Sequence, residues 1–162
     1  MRVGITGHQK LRQASDWDWA ESEMRAVLDT CAAPLIGISS LAAGADQLFA
    51  EIVLQNGGTL EAIIPFADYE KTFTEQEDRD TYHSLLASAA NVETLERGDS
   101  NEEAYLLAGK RVVDLSELVL ALWDGKPAQG LGGTADVVQY ARDKRKKIIH
   151  LNPTTREVIS IE

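Results

Sequence analysis

Strand-like and helix-like segments alternate along the whole chain. This predicts an α/β protein: a single Rossmann-like three-layer domain over residues 1–162, with a mostly parallel sheet and helices on both faces. Three observations carry that expectation. Short apolar runs such as "RVGIT", "LIGIS", "ELVLALW" and "KIIHL" are separated by stretches of helical length and periodicity. The runs are near-continuous in apolar residues, as strands covered on both faces require. The chain has 162 residues of which 44% are hydrophobic, enough for one domain with a real core.

The elements follow in order. "RVGIT" is a first strand. "DWDWAESEMRAVLDTC" is a helix whose spacing aligns Trp19, Met24, Val27, Leu28 and Cys31 on one face. "LIGIS" is a second strand, and "GADQLFAEIVLQNG" a second helix stopped by Gly57 and Gly58. "LEAIIP" is a third strand, closed at Pro65, which has no amide to extend a ladder. "TEQEDRDTYHSLLASA" is helical, with Glu75 to Asp80 as its solvated acidic start, and "NVETL" is a short strand. "NEEAYLLAGKRVVDLS" is helical, with Tyr105, Ala108 and Val112 in register. "ELVLALW" is the most apolar strand. "TADVVQYARDKR" is a last helix, and "KIIHL" and "EVISIE" are the closing strands. Lys144 to Lys147 form a basic run where cations complement a helix C-terminus.

Composition narrows the function classes. Formal net charge is −10, which disfavours binding to nucleic acid or to anionic membrane, since both need surplus lysine and arginine facing phosphates. No apolar run has the length of a membrane span, and "MRVGITG" lacks the features of a signal peptide. The single cysteine, Cys31, excludes an intrachain disulfide and a cysteine metal cluster. His8, His83 and His150 have no i, i+4 partner histidine, so no metal site is expected, and no cofactor is expected either. A soluble cytoplasmic protein is the simplest reading.

In an open α/β sheet the ligand lies beyond the carboxyl ends of the strands, where the strand order reverses. Three post-strand turns therefore claim interest. The first, "TGHQKLRQ", offers Thr6, Gly7, His8 and Gln9, with Lys10 and Arg12 as local positive charge. Its other reading is an ordinary turn with a surface histidine. The second, "SSLAAGAD", offers Ser39, Ser40, Leu41, Ala42, Gly44, Ala45 and Asp46 at a helix start, where free amides suit an anion. Its other reading is helix capping by a serine. The third, "GLGGTAD", offers Gly130, Gly132, Gly133, Thr134, Ala135 and Asp136. Packing alone explains one glycine well and three less well, so a phosphate seat leads here. A helix terminus contributes about 0.3–1 kcal/mol toward a nearby anion. Neither a Walker sequence nor a G-x-G-x-x-G fingerprint is present.

"GITGHQKL", "SLAAGADQLFAE" and "LVLALWDGKPAQGLGGTADVVQYAR" together resemble the SLOG superfamily. That group joins LOG-type "lysine decarboxylase-like" proteins, the DNA-processing protein DprA and nucleotide-sensing domains of bacterial defence systems. The resemblance implies a Rossmann-like sheet whose glycine loop holds the phosphate or ribose of a nucleotide, and it implies frequent dimers or tetramers. LOG enzymes cleave the base from a nucleoside monophosphate with the motif P-G-G-x-G-T-x-x-E. Aligning Gly133 and Thr134 with that Gly-Thr puts Val137 at the acid position, and Asp136 lies one residue early, about 100° around a helix. The family proline is missing, and Ala108 stands near the position of a family arginine, with Lys110 and Arg111 close by.

Side-chain roles follow with their alternatives. Asp136 either favours the helix dipole, bonds a ribose hydroxyl or, in a LOG-like enzyme, serves as the catalytic carboxylate. Arg111 is the favoured phosphate partner; its alternative is a surface ion pair with Asp114 or Glu117. Asp124 and Trp123 stand at the site edge, Trp123 as a base-stacking ring or a subunit contact. Tyr105 and Tyr140 read as helix packing. The leading expectation is a ligand-sensing protein, working alongside a separate effector, that binds a nucleotide or nucleotide derivative at the carboxyl edge of the sheet. A LOG-like N-glycosidase and a DprA-like nucleic-acid-binding module are the alternatives, and the acidic balance makes nucleic acid the unlikely partner.

Overall fold

A computed structural model describes residues 1–128, 131 and 133–162. Its elements are β1 (Arg2–Gly7), α1 (Ala14–Asp29), β2 (Ile36–Ser39), α2 (Ala45–Gln55), β3 (Thr59–Ile64), α3 (Gln76–Ser88), β4 (Asn91–Thr94), α4 (Asn101–Leu115), β5 (Leu118–Leu122), α5 (Thr134–Asp143), β6 (Lys147–Asn152) and β7 (Glu157–Ile161). The order is the expected one. A short 3-10 turn, Tyr69–Thr72, lies between β3 and α3 and was not foreseen. The last helix stops two residues before the expected Arg145, which adopts φ 54°, a left-handed conformation that ends a helix.

The strands form one seven-stranded sheet in the order β4-β3-β2-β1-β5-β6-β7. Every neighbouring pair is parallel except β6 and β7, which run antiparallel. One face of the sheet presents Val3, Ile5, Leu118, Leu120 and Leu122 to α1 and α2, through Met24, Leu28, Phe49, Ile52 and Val53. On the same side, Leu60, Ala62 and Ile64 of β3 meet Tyr82 and Leu85 of α3. The opposite face packs Val119, Ala121 and Ile148 against Val113, Val137, Val138 and Ala141, and Ile38 and Ile63 against Ala108 and Val112 of α4. This is the three-layer arrangement that near-continuous apolar strands require. Of the expected α1 face, Met24 and Leu28 are buried, while Trp19, Val27 and Cys31 pack at its margin. Among the described residues no helix is long and apolar enough to cross a membrane.

The topology fixes where a ligand can enter. From β1 the chain runs outward through β2, β3 and β4, then returns through α4 to place β5 on the other side of β1. The turns after β1 and β5 therefore leave in opposite directions, and a crevice opens between them.

Candidate functional site

The turn after β1 begins with Thr6, which is 9% exposed. Gly7 follows where a Cβ would fall 2.6 Å from the Ala45 Cβ and 2.9 Å from the Leu122 Cβ, so no side chain fits. The His8 carbonyl accepts the Ala45 amide of α2 at 3.1 Å, and His8 Nε2 accepts the Asp124 amide at 3.1 Å. Gly44 adopts φ +87°, and a Cβ there would fall 2.5 Å from the Gln9 carbonyl oxygen. The turn after β1 is thus joined to the start of α2 through the backbone and to the turn after β5 through the His8 ring.

The second turn is organised by its own side chains. Ser39 is fully buried; its Oγ donates to the Asp46 carbonyl at 3.1 Å and accepts the Leu41 amide at 3.1 Å. Leu41, at φ 59°, is fully buried in the core beside α3. Gln47 donates to the carbonyls of Leu41 at 3.2 Å and Asp78 at 2.9 Å, tying the turn to α3. Asp46 is 8% exposed, and one carboxylate oxygen accepts the Ala42 amide at 3.3 Å. Burial pushes its carboxyl up to about 7, against the opposing pull of the Ala42 and Ser40 amides. Some of the amides that the sequence offers to an anion are therefore already engaged by this carboxyl.

The N-cap of helix α5, Gly133, makes no side-chain cap bond, as is also true of α1, α2 and α3; among the described residues only α4 has one, Ser100 accepting the Glu103 amide at 3.1 Å. The amides of Thr134 and Ala135 have no partner among the described residues. A helix start left in this state presents its donors and its dipole to whatever lies in front of it.

These segments border one cleft of about 670 Å³. Of the expected residues, Thr6, Gly7, Gln9, Ser40, Ala42, Gly44, Asp46 and Thr134 line it. Gly130 and Gly132 lie outside the described residues. The geometry corrects several expectations. Ser39, Leu41 and Ala45 are sealed in the core, because the second turn folds inward to support α2. His8 and Asp124 pair with each other, and neither lines the cleft among the described residues. Arg111 faces away: its Nε donates to Glu93 of β4 at 2.8 Å, a partner different from Asp114 and Glu117, since β4 lies beside α4 at that edge. Gly133, Ala135 and Asp136 are half-buried beside Thr134 but do not line the cleft, whereas Val137 does. Trp123 donates from Nε1 to the Lys126 carbonyl at 2.9 Å and lies against His150, away from the cleft.

The far wall was missed by the sequence reading. It comprises Pro65 after β3, Tyr69, Thr72 and Phe73 of the following turn, and Tyr105, Ala108 and Gly109 of α4. Phe73 and Tyr69 meet edge to face at 5.1 Å between centroids, and Tyr69 and Tyr105 at 6.2 Å. "PFADYEKTF" also follows a parallel strand, so the rule that singled out the other turns covers it equally. Its lack of glycines and serines hid it.

No family model and no curated protein matches the chain. Solved structures do. The DNA processing protein A of Streptococcus pneumoniae superposes with a TM-score of 0.64 at 16% identity, over 92% of this chain and 49% of that one. The same protein from Helicobacter pylori, described for its mode of binding single-stranded DNA, gives 0.65 at 14% identity, over 93% and 64%. A Moco carrier protein from Chlamydomonas reinhardtii gives 0.56 at 16% identity, over 93% and 75%. The chain thus spans about half to two thirds of the DNA-processing proteins it matches. One expectation is overturned here. Nucleic acid was set aside as a partner on net charge, yet a protein of this fold binds single-stranded DNA. Net charge sums the whole surface, whereas a phosphate responds to the donors within a few ångströms, so −10 does not exclude such a ligand. At the level of its fold, the chain is a Rossmann-like protein similar to these solved structures.

Proposed function

We propose that the cleft binds a nucleotide or nucleotide derivative through its phosphate, and that the protein works by sensing this ligand. One observation carries the reading: the joined turns after β1 and β2 and the start of α5 border one cleft of about 670 Å³ at the carboxyl edge of the sheet. That volume suits a molecule of nucleotide size. The donors are main-chain amides of α5 and the hydroxyls of Thr6, Ser40 and Thr134, with Lys10 as a cation at the rim. Binding without turnover is supported by Val137, an apolar residue that lines the cleft where a LOG-type enzyme carries its glutamate.

The likeness to the DNA-processing proteins favours a second reading, in which the phosphate belongs to a single-stranded nucleic acid. Isothermal titration of the chain with AMP, CMP, ADP-ribose and a short single-stranded oligonucleotide separates the two. Saturable binding of a mononucleotide or of ADP-ribose, with no free base released, is the expected outcome. Base release would assign hydrolysis instead, with Asp46 and Asp136 as the carboxylates to substitute. Binding of the oligonucleotide alone would assign the second reading.

A further inference from the structure

Beside the turns and the α5 start, the cleft is lined by aromatic residues of different chemistry. Tyr69 belongs to the 3-10 turn after β3 and is 3% exposed. Its ring is fixed on several sides: Phe66 at 5.8 Å, Phe73 at 5.1 Å, Tyr82 at 5.6 Å and Tyr105 at 6.2 Å between centroids. A side chain held this way has little rotamer freedom left to lose on meeting a ligand. Yet its hydroxyl makes no hydrogen bond to any described residue. The one polar side-chain atom that is both sealed and unpartnered among the described residues is Arg79 Nε, so the Tyr69 oxygen keeps contact with the open cleft that the residue lines.

A hydroxyl that meets the cleft without a protein partner is available to a ligand. Here the surrounding wall indicates which kind. Tyr105, partly buried, offers its ring beside Tyr69, and Pro65 and Phe73 complete an apolar surface. Asp46 faces the same space from α2, near enough that its charge, after burial, helps to raise the Tyr69 phenol well above its ordinary value. Flat apolar walls with one or two fixed polar groups between them match a heteroaromatic ring with a hydrogen-bonding edge.

We infer that this aromatic part of the cleft is a base-recognition subsite, in which the Tyr69 hydroxyl bonds the polar edge of a nucleotide base lodged against Tyr105 and Phe73. The inference rests on the phosphate reading above and adds the group that confers specificity. A site built to hydrogen-bond a partner rejects analogues that lack it more sharply than a purely apolar site does.

The test pairs two substitutions with two kinds of probe. Tyr69→Phe removes only the hydroxyl. Tyr82→Phe removes a hydroxyl from the same aromatic cluster, at a residue that does not line the cleft among the described residues. Each is titrated with AMP, CMP, GMP and UMP, and with ribose 5-phosphate, which lacks the base. The expected result is that at least one nucleotide binds the unsubstituted protein more tightly than ribose 5-phosphate does. Tyr69→Phe then weakens that nucleotide about tenfold while ribose 5-phosphate and the melting midpoint stay unchanged, and Tyr82→Phe changes neither probe. The inference alone is overturned if no nucleotide exceeds ribose 5-phosphate, if Tyr69→Phe binds nucleotide as the unsubstituted protein does, or if it weakens both probes alike. If neither probe binds the unsubstituted protein, the phosphate reading falls and takes this inference with it.

Discussion

Asp46 is the titratable group whose behaviour most directly tests the site. Its carboxyl titrates near 7 in the folded protein, against 3.8 for an ordinary aspartate, because burial penalises the charged form. The folded state therefore holds a proton that the unfolded chain has released across that window. Asp46 opposes folding least below pH 3.8, opposes it increasingly as pH rises toward 7, and adds nothing further above. Asp46→Asn, which keeps an oxygen to accept the Ala42 amide, is expected to gain stability over the unsubstituted protein between pH 4 and 7, by at most roughly 4 kcal/mol, and to hold a constant lead above pH 7. Urea denaturation at pH 4.5, 6 and 8 measures this; a lead that does not change with pH would refute the assignment. The same protonation bears on binding. A neutral acid tolerates an anion that a carboxylate repels, so ADP-ribose, whose charge is constant over this range, should bind several-fold more tightly at pH 6 than at pH 8, and Asp46→Asn should remove the difference.

At the scale of elements, the cleft depends on how closely α4 approaches α5. Gly109 of α4 lies where a Cβ would fall 2.5 Å from Val137 Cγ2, so α5 sits against bare backbone. Both residues line the cleft, and Val137 is one turn inside the helix whose start holds the unpartnered amides. Gly109→Ala must push α5 outward or twist the Val137 side chain. The expected cost is about 1–3 kcal/mol, partly offset by the better helix propensity of alanine, with weakened phosphate binding as the helix start moves. Chemical denaturation and nucleotide titration of that variant check both halves, and unchanged affinity would show that the α5 terminus is not the seat. The α4 helix itself was legible in its sequence, down to the Ala108 and Val112 that face the sheet. Gly109 was not, because no local pattern announces that a second helix will pack there.

At the scale of the whole molecule, the acidic balance shapes how ligands are attracted. The described lining of the cleft carries one cation, Lys10, and three acidic groups, Asp46, Glu75 and Asp78. On the proposed function, recognition rests on short-range amides and hydroxyls rather than on a positive field. Salt should consequently matter little. For a short single-stranded oligonucleotide, the logarithm of affinity is expected to fall with the logarithm of salt concentration with a slope no steeper than about −0.7, the value for a single neutralised phosphate. Titration between low and moderate salt measures it, and a slope several times steeper would mean a basic track that this account lacks. The cleft lies at the carboxyl edge of the parallel sheet, lined by the turns after β1, β2 and β3 and by α4 and α5.

The sequence by itself determined the element order, the covered parallel sheet and the edge of the sheet at which the cleft opens. These follow from apolar periodicity and from turn residues, which act over a few positions along the chain. It also marked Thr6, Gly7, Gln9, Ser40, Ala42, Gly44, Asp46 and Thr134, all of which border the cleft. Only the tertiary structure decided which polar groups stay available. Arg111 is taken by Glu93, His8 by Asp124, and Ser39 by its own turn. Only the tertiary structure, too, brought Tyr69 and Tyr105 into the same cleft as the turns. Hydrogen-bond partners and cleft walls are set by contacts between residues far apart in the chain, and neither residue type nor spacing encodes them locally.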